Sequence, residues 1–230
     1  MLNITLPGKN DVRELSFFLA MEEQVARLQL QDDAFFVWQV EPSVIYGRNQ
    51  VMENEVNRDY CQTHGIRLFR RKSGGGCVYA DRDNLMLSYV TREPQVGFAF
   101  NRFVGMVLLV LRKMGVEATG TSHNDILIGH RKVCGTACRV TPHGCIVHST
   151  LLYDTNMQHM LHAITPNGQK LAKHGVESVR QRITLLKEHT TLTLEEVKTL
   201  IVGTLCSGDR MLTAGDVAEI EKIETELFNK

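Results

Sequence analysis

The stretch RRKSGGGCVYADRDN, Arg70 to Asn84, decides how the rest of the chain is read. Consecutive glycines cost backbone entropy on folding and bury no side chain. They suit either a bare turn between strands or a site where a ligand lies directly on the main chain. Glycines after a strand let backbone N–H groups converge on an anion. Arg70 and Arg71 add permanent charge in a forked geometry that fits phosphate or carboxylate. On this stretch alone a glycine turn with surface arginines is an equally good reading. No Gly-Lys-Ser/Thr follows, so it is not a P-loop, and neither the spacing nor the flanking pattern is that of a dinucleotide fingerprint.

Outward from the glycines, IRLFRR leads in as a strand and NLMLSYV leaves as one, while AFFVWQV and SVIYGR read as earlier strands. Residues 12–30 predict a helix, and NEVNRDYCQTHG a short one closed by Gly65. Phe100, Phe103, Val104, Val107, Leu108 and Leu111 keep helical spacing up to Gly115. NDILIGHRKVCGTACRV then reads as a hairpin turning at Gly129-His130, followed by the strand GCIVHSTLLYD. Thr193 with Glu196 forms a capping box, and Asp216 with Glu219 is expected to open a last helix. Strands and helices without regular βαβ alternation predict an α+β fold with a mixed, largely antiparallel sheet.

The composition narrows the function classes. At 230 residues the chain is long enough for a substantial core, and 26 basic against 26 acidic residues give no global attraction to nucleic acid or anionic membrane. The basic run of Arg67, Arg70, Arg71 and Lys72 has no interleaved aromatics of the kind that stack on bases. No apolar run approaches the length of a membrane span, and the N-terminus lacks the pattern of a signal peptide. The six cysteines contain no CxxC pair and complete no zinc pattern, which suits free thiols in a reducing, cytoplasmic setting.

Three further segments join the glycine stretch. Lys132 sits on the return strand of the hairpin, where a solvated side chain is the ordinary reading. His148 interrupts an apolar strand, where a satisfied core histidine is the default. KLAKHGVESVRQRITLL is a polar, basic segment that reads as a solvated loop. Taken in order, the four resemble the lipoate–protein ligase A family. Its RRxSGGGxVxxD…N pattern appears as Arg70 to Asp81 with Asn84. Its ND…RK-small-GSA pattern appears as Asn124-Asp125 and Arg131 to Ala137, its H-x-TLL pattern as His148 to Leu152, and its late SVRxRxTxL pattern as Ser178 to Leu186. The likeness covers residues 12–206.

The resemblance implies a curved sheet flanked by helices, similar to the catalytic domains of biotin protein ligases and class II tRNA synthetases. It implies one catalytic domain over residues 1–230, with 207–230 as a C-terminal tail and no accessory domain in this chain. The implied activity is ATP-dependent attachment of lipoate or octanoate, through an acyl-adenylate, to a lysine of a lipoyl carrier domain. Such carriers are E2 subunits of 2-oxoacid dehydrogenases or the H protein, and a separate accessory chain is a further implied partner. Lys132 is the implied catalytic residue. Arg70, Arg71, Ser73, Gly74, Gly75, Gly76, Cys77, Val78, Asn84, Asn124, Asp125, Gly135, His148 and Thr150 are implied to join it around ATP and the adenylate, with Mg²⁺ on the phosphates. Positioning and charge neutralisation are what this chemistry asks of a protein.

Two positions depart from the pattern: Cys77 stands where alanine is usual and Cys134 where serine is common. They keep open a rival of the same fold, an octanoyl or lipoyl transferase working through a cysteine thioester, with Cys77, Cys134 or Cys145 as nucleophile. The cysteine positions of known transferases are not matched, since Pro166-Asn167-Gly168 and EATGTSHND contain none. A biotin ligase would show a basic GRGRxGR stretch instead. A non-catalytic binder of adenylate or carrier domain is the reading from a different class, and the presence of Lys132 speaks against it.

Overall fold

The computed structural model of the chain describes residues 1–8, 13–122, 125–165 and 182–228. An eight-stranded sheet runs through the molecule in the order β11-β1-β2-β6-β10-β9-β8-β7. Its strands are β1 (Leu2–Thr5), β2 (Ala34–Trp38), β6 (Asn84–Thr91), β7 (Thr119–Gly120), β8 (Asp125–Ile128), β9 (Arg131–Thr141), β10 (Gly144–Leu152) and β11 (Gly208–Met211). The pairings of β1 with β11 and with β2 are parallel, and the others are antiparallel. A second sheet, ordered β4-β3-β5, consists of β3 (Ser43–Tyr46), β4 (Arg67–Arg70) and β5 (Val78–Ala80).

Strand alternation divides the core. Leu85, Leu87 and Tyr89 of β6 and Cys145, Val147 and Leu151 of β10 point to one face, where α3 (Val96–Lys113) and α5 (Leu194–Leu205) cover them. Met86, Val90 and Ile146 point to the other face, under α1 (Leu15–Arg27), on which α6 (Ala214–Phe228) packs. A third cluster beneath the small sheet joins Val44, Ile66 and Tyr79 to α2 (Arg58–Thr63) and α4 (Met157–Ala163).

The mixed, largely antiparallel α+β reading agrees with this architecture, and the capping box of Thr193 and Glu196 is present. Four details differ. The helix read from residue 12 begins at Leu15, and α3 begins a turn before Phe100, at Val96, with no side-chain cap to announce it. Strands β1, β5, β7 and β11 were not foreseen; each is two to four residues long, too short to carry a period. The last helix is capped by Thr213, whose hydroxyl accepts from the Asp216 N–H at 3.1 Å while the Asp216 carboxylate accepts from the Thr213 N–H at 2.8 Å. Asp216 is thus the third residue of the helix, where it closes the box, and not its opening residue. Residues 207–228 are also no trailing tail: β11 closes one edge of the main sheet, and Leu212, Ile220 and Ile223 enter the core beside α1. No helix among the described residues is long and apolar enough to cross a membrane.

Candidate functional site

Register places two rungs of side chains on the α1 face of the sheet. One runs Trp38, Met86, Thr150, Gly135, Asp125 across five strands; the next runs Phe36, Ser88, His148, Ala137. The rungs are two residues apart, about 7 Å along a strand. Thr150 donates to the Met86 sulfur at 3.3 Å. Asn84 lies one rung farther on, fully buried, its amide donating to the Thr155 hydroxyl at 3.0 Å while its Oδ1 has no partner among the described residues.

Lys132 reaches the first rung through an irregularity. The ladder between β8 and β9 shifts register at Ile126/Leu127, which swings the Lys132 side chain over Gly135. A Cβ at Gly135 would stand 3.1 Å from the Lys132 Nζ, so glycine there keeps room for the ammonium. Nζ pairs with the Asp125 carboxylate at 3.0 Å, and both side chains are about a third open to solvent. Ile183 bridges to Lys132, and the Thr184 N–H donates to the Lys132 carbonyl at 3.0 Å. The late SVRxRxTxL stretch thus returns to the expected catalytic lysine. Its first part, Ser178 to Gln181, lies outside the described residues, as does Asn124.

The glycine stretch links β4 to β5 beside the second rung. Arg71, alike with Arg70 in sequence, is used differently. It is buried, and its guanidinium donates to the carbonyls of Gly74 at 2.8 Å, Gly76 at 2.7 Å and Ile45 at 3.0 Å, and through Nε to the Ser73 hydroxyl at 3.0 Å. Burial pulls its pKa down to about 10, still cationic at neutral pH. Arg71 holds the loop from within. Arg70 is exposed, lies 5.0 Å over the Tyr46 ring and donates to the Arg48 carbonyl, leaving its charge open to solution.

With the loop carbonyls turned toward Arg71, the N–H groups of Gly74, Gly75 and Gly76 donate to no acceptor among the described residues. Gly75 needs its positive φ of 95°, while Gly74 and Gly76 have open space where a Cβ would stand. The arrangement is an amide-lined cradle with a cationic rim. A groove of about 1030 Å³ opens beside it, edged by Arg48, Arg70, Lys72 and Arg139 and floored by Phe69 and Leu227.

Ser73 and His148 meet inside this frame: His148 Nε2 lies 2.8 Å from the Ser73 hydroxyl, and His148 Nδ1 lies 3.0 Å from the Glu22 carboxylate on α1. Cys77 and Val78 follow the cradle, Cys77 half-buried and Val78 paired to Ile45. The motif aspartate, Asp81, accepts from Thr155, the Asn156 N–H and the Asp83 N–H, and so anchors the turn into β6. Sequence reading missed Glu22, Trp38, Ser88 and Gly47. The one available signal was Ser88, a polar residue in the middle of an otherwise apolar strand.

The cysteines are poorly suited to nucleophilic work. Burial pushes Cys77 and Cys134 up to about 12 and raises Cys145 as well. Nucleophilic cysteines require the opposite shift.

A profile of the lipoyl protein ligase A/B catalytic domain matches residues 15–206. The chain belongs to this family. It is 32% identical to lipoate–protein ligase 1 of Staphylococcus aureus over 229 residues, which is 96% of this chain and 70% of that protein. It is 34% identical to lipoate–protein ligase LplJ of Bacillus subtilis over 190 residues, 82% of this chain and 56% of that one. The chain therefore spans only part of the curated relatives it matches. The bipartite lipoate–protein ligase of Thermoplasma acidophilum, solved in a study of that enzyme and its E2 lipoyl domain, superposes with a TM-score of 0.80 at 25% identity, covering 100% of this chain and 91% of that one. A lipoate–protein ligase A bound with ATP gives 0.77 at 25%, covering 100% and 93%. The family is one of lipoate–protein ligase enzymes, and the α+β fold and the lipoate chemistry anticipated from the motifs are those of its members.

Proposed function

We propose that this chain attaches lipoate to a specific lysine of a lipoyl carrier domain in two steps, through lipoyl-adenylate made from ATP. The lipoate carboxylate attacks the α-phosphate, the bond to the β-phosphate breaks, and pyrophosphate leaves. The carrier lysine amine then attacks the acyl carbon of the mixed anhydride, loses a proton and releases AMP. Both steps build charge on phosphate and acyl oxygens, which preorganised N–H groups and cations stabilise.

The observation that carries this reading is the cradle of Gly74, Gly75 and Gly76, with carbonyls held inward by Arg71 and amides free to meet a phosphate. Lys132 shares the α1 face with His148, whose imidazole touches the cradle through Ser73. Its ammonium is suited to the leaving phosphate and the carbonyl oxygen. Arg70 adds charge at the rim. Met86 and Thr150, on the same face of β6 and β10, are the neighbours that an acyl chain reaching Lys132 would meet.

Magnesium fits as an ion that arrives on the nucleotide. It ordinarily keeps several waters and takes one or two carboxylates. Among the described residues no group of three histidines, cysteines or carboxylates could cage a metal, while Asp125 on the first rung offers a single carboxylate. The raised thiol pKa values favour this reading over a thioester-forming transferase.

The test is intact mass spectrometry of an apo lipoyl domain, from an E2 subunit or the H protein, incubated with the chain and lipoate with and without ATP. A lipoyl increment that requires ATP is expected. A gain only from preformed lipoyl-adenylate would assign activation to a partner chain. Labelling from an octanoyl-carrier protein without ATP would overturn the ligase reading.

A further inference from the structure

A chain of buried polar groups runs from the sheet to the cradle. Trp38 Nε1 donates to the Ser88 hydroxyl at 2.8 Å, and Ser88 donates to Glu22 Oε1 at 2.6 Å. His148 Nδ1 lies 3.2 Å from that same oxygen and 3.0 Å from Oε2, and His148 Nε2 lies 2.8 Å from the Ser73 hydroxyl, which receives Arg71 Nε at 3.0 Å. Glu22 is 3% exposed and Ser88 0%.

The two ends of this chain and the carboxylate between them constrain its protons. An indole N–H and a guanidinium N–H can only donate. Trp38 therefore occupies an acceptor position of Ser88, which frees the Ser88 hydrogen for Glu22. Arg71 likewise occupies an acceptor position of Ser73, whose own hydrogen is left for His148 Nε2. The Glu22 carboxylate accepts, so Nδ1 carries a proton and donates it there, and an unprotonated Nε2 gives the Ser73 hydrogen its acceptor. All the protons point toward one carboxylate, whose oxygens accept both of those that reach it. Arg139, which pairs with the neighbouring Glu23, is close enough to Glu22 for their charges to interact and offsets part of that buried charge.

We infer that Glu22 is a positioning residue: its carboxylate holds His148 in the Nδ1–H tautomer, and His148 through Ser73 holds Arg71 in the pose that turns the carbonyls of Gly74 and Gly76 inward. With the proton on Nε2 instead, the Ser73 oxygen would face two N–H donors while its own hydrogen lost its acceptor. The hydroxyl would rotate and the grip of Arg71 on the cradle would loosen. The kinetic part of this inference rests on the adenylate reading above; the tautomer does not.

The experiment labels the chain with ¹⁵N-histidine and reads the tautomer of His148 from two-bond ¹H–¹⁵N correlations, in the wild type, in Glu22→Gln and in Ser88→Ala. The wild type is expected to show a protonated Nδ1 and an unprotonated Nε2. Glu22→Gln keeps the shape, places an amide where a carboxylate oxygen stood and is expected to lose the single Nδ1–H form. In the same variant kcat/KM for lipoate-dependent pyrophosphate release is expected to fall about 10- to 100-fold. Ser88→Ala orphans the Trp38 N–H and lowers Tm, but leaves Glu22 as acceptor for His148 and is expected to keep the tautomer. An Nδ1–H tautomer persisting in Glu22→Gln, or one lost equally in Ser88→Ala, overturns the inference. Absence of pyrophosphate release in the wild type would count against the adenylate reading alone, since the tautomer is measured without turnover.

Discussion

Gly47 lies directly beneath Gly75: a Cβ on Gly47 would overlap the Gly75 carbonyl oxygen and stand 3.3 Å from Arg71 Nη2. The cradle therefore rests on a second glycine, on β3's exit, that no part of the glycine run reveals.

This contact separates glycines that shape the cradle from those that face its ligand. Gly47→Ala forces backbone apart and is expected to cost about 2–3 kcal/mol of stability. Gly75→Ala, at a φ of 95° and with its Cβ 2.9 Å from Arg71 Nη2, is expected to cost about 1–2 kcal/mol. Gly74→Ala and Gly76→Ala meet nothing within 4 Å among the described residues and are expected to leave Tm almost unchanged while weakening nucleotide binding. Thermal melts with and without ATP check the division. Equal destabilisation by all four substitutions would refute it.

A similar separation holds at Lys132. Lys132→Ala is expected to remove acyl transfer by about 10²–10³-fold with native circular dichroism. Gly135→Ala is the subtler probe, because its Cβ would stand 2.8 Å from Lys132 Cε, the far end of a flexible side chain. The ammonium is displaced at little cost in stability, and transfer is expected to drop about 10²-fold. Full activity in Gly135→Ala would mean that the resting position of the ammonium is irrelevant to the chemistry.

The limits of the sequence are visible in neighbouring pairs. Arg70 and Arg71 are indistinguishable as letters, yet one faces solvent and the other is locked under the loop, since adjacent residues at a strand end take opposite sides. Glu22 and Glu23 form another such pair. A helix formed of LSFFLAMEEQVAR reads as amphipathic with its glutamates outside. Here α6 covers the side that solvent would have taken, and Glu22 is drawn into the core, where His148 and Ser88 satisfy it. The hairpin at Gly129 and the strand of His148 were legible because turn chemistry and alternation are local, whereas the glycine stretch alone left a bare turn equally open. The pairing of β1 with β11 joins Leu2–Thr5 to Gly208–Met211 across most of the chain, and short polar strands leave no trace of so distant a partner.

The thiols give a prediction that bears on the rival chemistry. A thiol with a pKa of about 12 is ionised to only about one part in 10⁴ at pH 8, far below an unperturbed cysteine. Alkylation of Cys77 by iodoacetamide in the native protein is therefore expected to run at least about 10³-fold slower at pH 8 than after unfolding, as followed by peptide mass. Incubation with an octanoyl donor is expected to leave no acyl increment on the chain. A fast-reacting Cys77 or a trapped thioester would reopen the transferase reading.

The last helix supplies a test by acid. Asp216 accepts from the N–H and hydroxyl of Thr213, and chiefly the backbone bond holds its pKa below the usual carboxylate value. Its stabilising contribution is thus fully present above about pH 4, the unfolded value, and is lost as pH falls through the lower folded one. Asp216→Ala is expected to cost about 1 kcal/mol at pH 7, and the gap to wild type should close as pH falls below 4. Thr213→Ala removes the same box from the other side, so the double variant should cost less than the sum. Urea melts across the pH range measure both. A gap that persisted undiminished at pH 2 would mean that Asp216 acts through packing against α1 and not through its charge.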